Sequence, residues 1–132
     1  MKTFSLSRSE RVRKKKEFNF VYNNGKTIFS SDLLLKSVFI LEKSDGKSGV
    51  QIAAAVSKKA GKAVWRNRVK RLIKESYRLN KLLILEKAKQ KDKKLLIIFT
   101  PNKLSEKNNR KLKLSDISPS VVELMKKISQ QI

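Results

Sequence analysis

Neither cysteine nor histidine occurs in this 132-residue chain. Their absence removes disulfides, thiolate nucleophiles, imidazole bases and nearly every transition-metal site. Acidic residues are scarce as well, eleven against 33 lysines and arginines. They stand singly from Glu10 to Glu123, with no close cluster of the kind that holds a pair of Mg²⁺ ions. Protein-based hydrolysis would have to rest on carboxylates or lysine, and the expectation is that the protein contributes no catalytic and no metal-binding residues. Long apolar runs are missing too, and nothing approaches the roughly 20 residues that span a bilayer. Met1-Lys2-Thr3-Phe4-Ser5 lacks the apolar segment of a signal peptide. The expectation is a cytoplasmic protein with no membrane partner and no small-molecule substrate.

What the chain has in excess is positive charge. A formal net charge of +22 goes far beyond the needs of solubility and favours a polyanion, nucleic acid before anionic membrane. The length fits one core, so a single RNA-binding domain over residues 1–132 is expected, with residues 1–10 as a flexible N-terminal segment. Lysines are spread throughout, whereas seven of the eight arginines fall in Arg8 to Arg13 and Arg66 to Arg78. Arginine's planar fork suits phosphate oxygens and base edges, so its bunching says more than bulk charge does.

Periodicity predicts the order α-β-β-β-α-β-α. Phe18, Val21 and Tyr22 recur at helical spacing from near Lys14 until Asn23-Asn24-Gly25 stops the helix. Ser7-Arg8-Ser9-Glu10 has capping-box spacing that would start this helix earlier, although the arginine-rich stretch equally suits an extended arm. Ile28-Phe29, Leu33 to Leu41 and Val50 to Val56 read as strands, the last two as an antiparallel pair around Ser44-Asp45-Gly46. A helix follows from Lys62 to Leu79, with Trp65, Val69, Leu72, Ile73 and Ser76 in one arc; Leu82 to Glu86 is read as its extension. Lys87 to Lys94 reads as a solvated run before the apolar strand Leu95 to Phe99, ended by Pro101. Leu104 to Leu114 is read as partly helical, and a terminal helix is placed after Ser118, with Pro119 at its first position.

Three features point to RNA or DNA. Opposite the apolar arc, the Lys62 to Arg78 segment displays Arg66, Asn67, Arg68, Lys70, Arg71 and Lys74, with Glu75 the single acid among seven cations. Pairs such as Arg66 with Lys70 repel one another at i,i+4, a penalty that an anionic partner relieves. Secondly, the turn Ser57-Lys58-Lys59-Ala60-Gly61 precedes that helix, so its free N–H groups with Lys58, Lys59 and Lys62 suit a phosphate; an ordinary left-handed turn at Gly61 explains the glycine equally well. Thirdly, Phe18 and Tyr22 lie one helical turn apart beside Arg11 and Arg13, and such a pair either stacks on single-stranded bases or packs in the core. Trp65 begins the apolar stripe and is assigned to the core.

The run from Ala55 to Arg78 around Arg66-Asn67-Arg68 strongly resembles the signature of the bacterial ribonuclease P protein family. Arg11-Val12-Arg13-Lys14 leading to Phe18, Val21, Tyr22 and Gly25 matches the family's N-terminal pattern in order and spacing. Leu95 to Pro101 fits loosely, with Thr100 where relatives often carry a basic residue, and the C-terminal third matches by element order alone. The resemblance implies an α/β two-layer sandwich around a mixed sheet of about four strands, with a left-handed βαβ crossover, against the usual rule. It also implies a division of labour, in which an RNA subunit performs Mg²⁺-dependent removal of the 5′ leader from precursor tRNA while the protein holds RNA. On that basis Arg66, Asn67, Arg68, Lys70, Arg71 and Lys74 bind the catalytic RNA. Arg11, Arg13, Phe18, Tyr22, Lys58, Lys59 and Lys62 then serve the leader, in a cleft between the first helix and the sheet. The competing expectation is a basic ribosomal or RNA-chaperone protein with no catalytic partner.

Overall fold

Leu95-Leu96-Ile97-Ile98-Phe99 is apolar on both faces of a strand, and such a strand needs cover on both sides and a neighbour at each edge. A computed structural model, which describes residues 15–43 and 49–132, gives it that place. The elements run α1 (Lys15–Asn24), β1 (Lys26–Phe29), β2 (Leu35–Lys43), β3 (Gly49–Ala54), a 3-10 turn (Lys58–Ala60), α2 (Ala63–Asn80), α3 (Leu82–Gln90), β4 (Lys93–Pro101) and α4 (Leu114–Ser129). The sheet order is β1-β2-β4-β3, so the architecture is the expected α+β arrangement on a four-stranded mixed sheet. β4 pairs antiparallel with β2 and parallel with β3. The antiparallel β2/β3 pair expected from the sequence does not form, because the doubly buried β4 inserts between the two strands. The Ser44-Asp45-Gly46 turn and the Ser7 to Glu10 spacing lie outside the described residues.

Strand alternation divides the apolar residues between two faces. Leu35, Phe39, Val50, Ile52, Leu95, Ile97 and Phe99 pack with Trp65, Val69, Ile73 and Tyr77 of α2, Ile84 and Ala88 of α3, and Val121, Leu124, Met125 and Ile128 of α4. On the other face Leu96 and Ile98 meet Val21 of α1, with Phe18, Ile40, Ala53 and Ala55 around them. Gly25 makes that second packing layer possible. A Cβ there would lie 2.6 Å from the Val21 carbonyl oxygen and 2.8 Å from that of Phe39, both rigid backbone atoms.

The helical segments depart from their sequence-based bounds in three places. Asn80 turns its amide onto the Ser76 carbonyl at 2.8 Å, a local bond that competes with helix continuation, and α3 begins anew at Leu82. It runs to Gln90, so much of the supposed solvated run is helical, with Ala88 buried. Residues 104–113 form turns and no helix. α4 starts at Leu114, four residues before Ser118, because Leu114 and Ile117 continue its stripe and the Asp116 carboxylate accepts the Lys113 N–H at 2.8 Å. Pro119 thus sits inside the helix, where the Ser115 carbonyl that loses its donor is on an exposed residue.

Two carboxylates hold the β1–β2 turn against α4. Asp32 accepts from the Ser30 hydroxyl at 2.6 Å, the Leu34 N–H at 3.0 Å and the Ser120 hydroxyl of α4 at 2.8 Å. Glu123 of α4 accepts the Ser31 N–H at 2.8 Å and pairs with Lys127 at 3.1 Å. Burial opposes ionisation of both acids, but these donors outweigh it and hold both carboxyls below the usual carboxylate range.

Candidate nucleic-acid interface

Burying Trp65, Val69, Ile73, Ser76 and Tyr77 fixes the rotation of α2 and thereby decides which residues face outward. Trp65, 4% exposed, is core as expected, and its indole N–H donates to the Asn109 carbonyl at 2.9 Å. Asn67 and Arg71 are exposed, Lys70 and Lys74 half-buried, and these four line a shallow groove with Glu75 and Arg78. Among the described residues no carboxylate pairs with Arg66, Arg68, Lys70, Arg71 or Lys74. Glu75 instead takes Arg78, accepting from its Nε at 3.0 Å and from its terminal nitrogen. The hydrogen bonds from Arg78 hold the Glu75 carboxyl below its usual range. Among the described residues the face therefore keeps five cations without a carboxylate partner, its single acid being spent at the C-terminal end.

The triplet Arg66-Asn67-Arg68 is divided among three directions. Asn67 points to the groove. Arg66 is half-buried, and its Nε is shielded from solvent with no hydrogen-bond partner among the described residues. Arg68 is exposed but donates from Nε to the Leu112 carbonyl at 2.9 Å, a bond that fixes the side chain without neutralising it. Sequence pattern identifies the three as one cluster and has no means of showing that Arg68 also tethers a distant loop.

The turn before α2 differs from its reading. Gly61 has φ 170° and ψ −176°, extended backbone that any residue adopts, so no left-handed turn explains it. It is glycine because of close approach, since a Cβ would lie 2.7 Å from Trp65 Cε3 and 2.8 Å from Glu106 Cβ. The Lys62 N–H at the start of α2 is already bonded to Glu106 Oε1 at 2.8 Å, and the Ala60 N–H to the Ser57 carbonyl at 3.1 Å. The backbone cradle expected to receive a phosphate is therefore partly filled by the protein's own carboxylate. The exposed side chains of Lys58, Lys59 and Lys62 remain available.

On the opposite sheet face, Phe18 and Tyr22 stack with centroids 6.1 Å apart and planes 12° from parallel. Phe18 packs against the Leu96/Ile98 cluster with Ala53 and Ala55, whereas Tyr22 is 47% exposed. Phe18 thus sits partly in the core, while the Tyr22 ring is left exposed beside it. Ala53 and Ala55 pack against the same cluster, and three residues beyond Ala55 the chain reaches Lys58. Arg11 and Arg13 lie outside the described residues. No group of three or more acidic residues able to hold a metal ion occurs among the described residues. No helix there is long and apolar enough to cross a membrane.

Comparison with known proteins places the chain in a family. Residues 6–128 fit the family model described as Ribonuclease P. The chain is 40% identical over 120 residues to the ribonuclease P protein component of Clostridium botulinum strain Langeland, covering 91% of this chain and 95% of that one. It is 36% identical over 122 residues to that of Clostridium novyi, covering 92% and 96%. The RNase P protein from Thermotoga maritima shares the fold with a TM-score of 0.70 at 24% identity, over 89% of this chain and 96% of that one. With nearly the whole chain matched and relatives well above 30% identity, this protein belongs to the ribonuclease P protein component family.

Proposed function

We propose that the chain is the protein subunit of a ribonuclease P ribonucleoprotein, binding a catalytic RNA and the 5′ leader of precursor tRNA during tRNA maturation. As a family member it is part of an endoribonuclease complex. The observation that carries the finer reading is the α2 face, five cations with no carboxylate partner among the described residues, on a helix locked by its buried stripe. Cations held on a rigid scaffold lose little freedom on meeting phosphate, and releasing counterions from RNA drives the association. Arg66, Asn67, Arg68, Lys70, Arg71 and Lys74 serve the catalytic RNA in this reading. Tyr22 over Phe18, with Lys58, Lys59 and Lys62, serves the single-stranded leader. Stacking and backbone charge tolerate any leader sequence, as a factor acting on many precursors requires. Bond cleavage and Mg²⁺ belong to the RNA partner, and the protein's residues supply positioning and charge.

The test adds purified protein to a bacterial ribonuclease P RNA at low Mg²⁺ and follows cleavage of precursor tRNA. Stimulated release of the leader is expected. No stimulation would favour a general RNA-coating protein, and cleavage without added RNA would place the chemistry on the protein.

A further inference from the structure

The connection from β4 to α4 has no regular secondary structure, yet it is fastened along the N-terminal half of α2. The Glu106 N–H donates to the Ala60 carbonyl at 2.8 Å, and the Glu106 carboxylate accepts the Lys62 N–H at 2.8 Å. Trp65 Nε1 then donates to the Asn109 carbonyl at 2.9 Å and Arg68 Nε to the Leu112 carbonyl at 2.9 Å. Leu104 and Leu112 anchor the two ends in the core. Ordering backbone costs about 1–2 kcal/mol per residue, so a segment that merely joined a strand to a helix would have no need of these fastenings.

The fastened points bracket Lys107, Arg110 and Lys111, all exposed and without a carboxylate partner among the described residues. The acids beside them are occupied, Glu106 on the Lys62 N–H and Asp116 on the Lys113 N–H. Because Glu106 fills the start of α2, phosphate on this flank has to be met by side chains, and the backbone that carries these three is fastened at Glu106, Asn109 and Leu112. Arg68 joins the two regions, bonded to the loop and still carrying its charge.

We propose that Lys107, Arg110 and Lys111 form a second arm of the RNA-binding surface, engaging the sugar-phosphate backbone of the RNA that docks on α2. The proposal rests on the α2 reading above and extends it to a region where sequence resemblance is weakest. The experiment titrates the full chain, a Lys107→Ala/Arg110→Ala/Lys111→Ala variant and an Asn67→Ala/Arg71→Ala variant with bacterial ribonuclease P RNA over a range of salt, with thermal melts of each. The loop variant is expected to melt like the parent and bind about tenfold or more weakly. Its slope of log affinity against log salt should be shallower by about 2–3, at roughly 0.9 for each phosphate that is no longer neutralised, as in duplex DNA. Unchanged affinity and slope in the loop variant, with weakened binding by the α2 variant, would overturn the second arm and leave the α2 reading standing. Failure of the parent protein to bind the RNA would overturn both.

Discussion

Arg68 and Arg71 stand three residues apart on one helix and are both exposed, but a truncation at each removes different things. Among the described residues the Arg71 side chain has no hydrogen-bond partner, so Arg71→Ala should weaken RNA binding while the melting temperature stays within a degree or so of the parent. Arg68→Ala also strips the Leu112 carbonyl of its donor, and it should lower both affinity and melting temperature. Equal melting of the two variants, followed by calorimetry, would show that the tether contributes nothing. The aromatic pair divides in the same way. Tyr22→Ala should reduce affinity for leader-bearing precursor tRNA by about 1–3 kcal/mol, roughly 5- to 150-fold, and leave leaderless tRNA unaffected. Phe18→Ala additionally opens a gap against Leu96 and Ile98, so its binding loss arrives mixed with destabilisation. A Tyr22→Ala defect of equal size on leaderless tRNA would contradict the stacking role.

Among the elements, the β1–β2 turn and α4 are joined by ionised carboxylates. Asp32 and Glu123 are more acidic in the folded chain than in the unfolded one, where their donors are lost. Groups with depressed folded pKa values bind more protons when unfolded, so their contribution is full above about pH 5 and disappears as pH falls through 4 and below. Urea midpoints should therefore drop on acidification through that window, and Asp32→Asn should flatten the dependence; an identical acid profile in that variant would sink the assignment. The elements were legible from sequence wherever one periodicity ruled. The α2 stripe placed Trp65, Val69, Ile73 and Ser76 in the core, though Leu72 is half-buried and Tyr77 is buried unforeseen, and the alternation of Val50 and Ile52 in β3 and of Val56 just beyond it followed burial as well. Legibility failed where a single local bond decided a boundary, as with the Asn80 amide that ends α2 and Asp116 that starts α4 early.

For the whole molecule, net charge is the dominant quantity. Eleven acids cannot offset 33 basic residues, and several of the described acids are engaged on N–H groups or in ion pairs. RNA affinity should fall about 10³- to 10⁵-fold between 50 and 200 mM salt if six to ten phosphates are engaged. A shallow dependence in filter-binding or fluorescence titrations would contradict an electrostatic docking surface.

The sequence by itself determined the absence of cysteine and histidine, the surplus of cations, and an arginine cluster set against an apolar stripe. Those follow from residue types and short-range spacing, which no fold can alter. Tertiary structure decided what depends on distant segments meeting. It inserted β4 between β2 and β3, where both of its edges are paired and both of its apolar faces are covered by helices. It brought Glu106 onto the start of α2, filling a site that looked ready for phosphate. It also turned the loop near residue 110 alongside Arg68, since hydrogen bonds spanning 44 residues obey the packing of the core and leave no periodic trace in the chain.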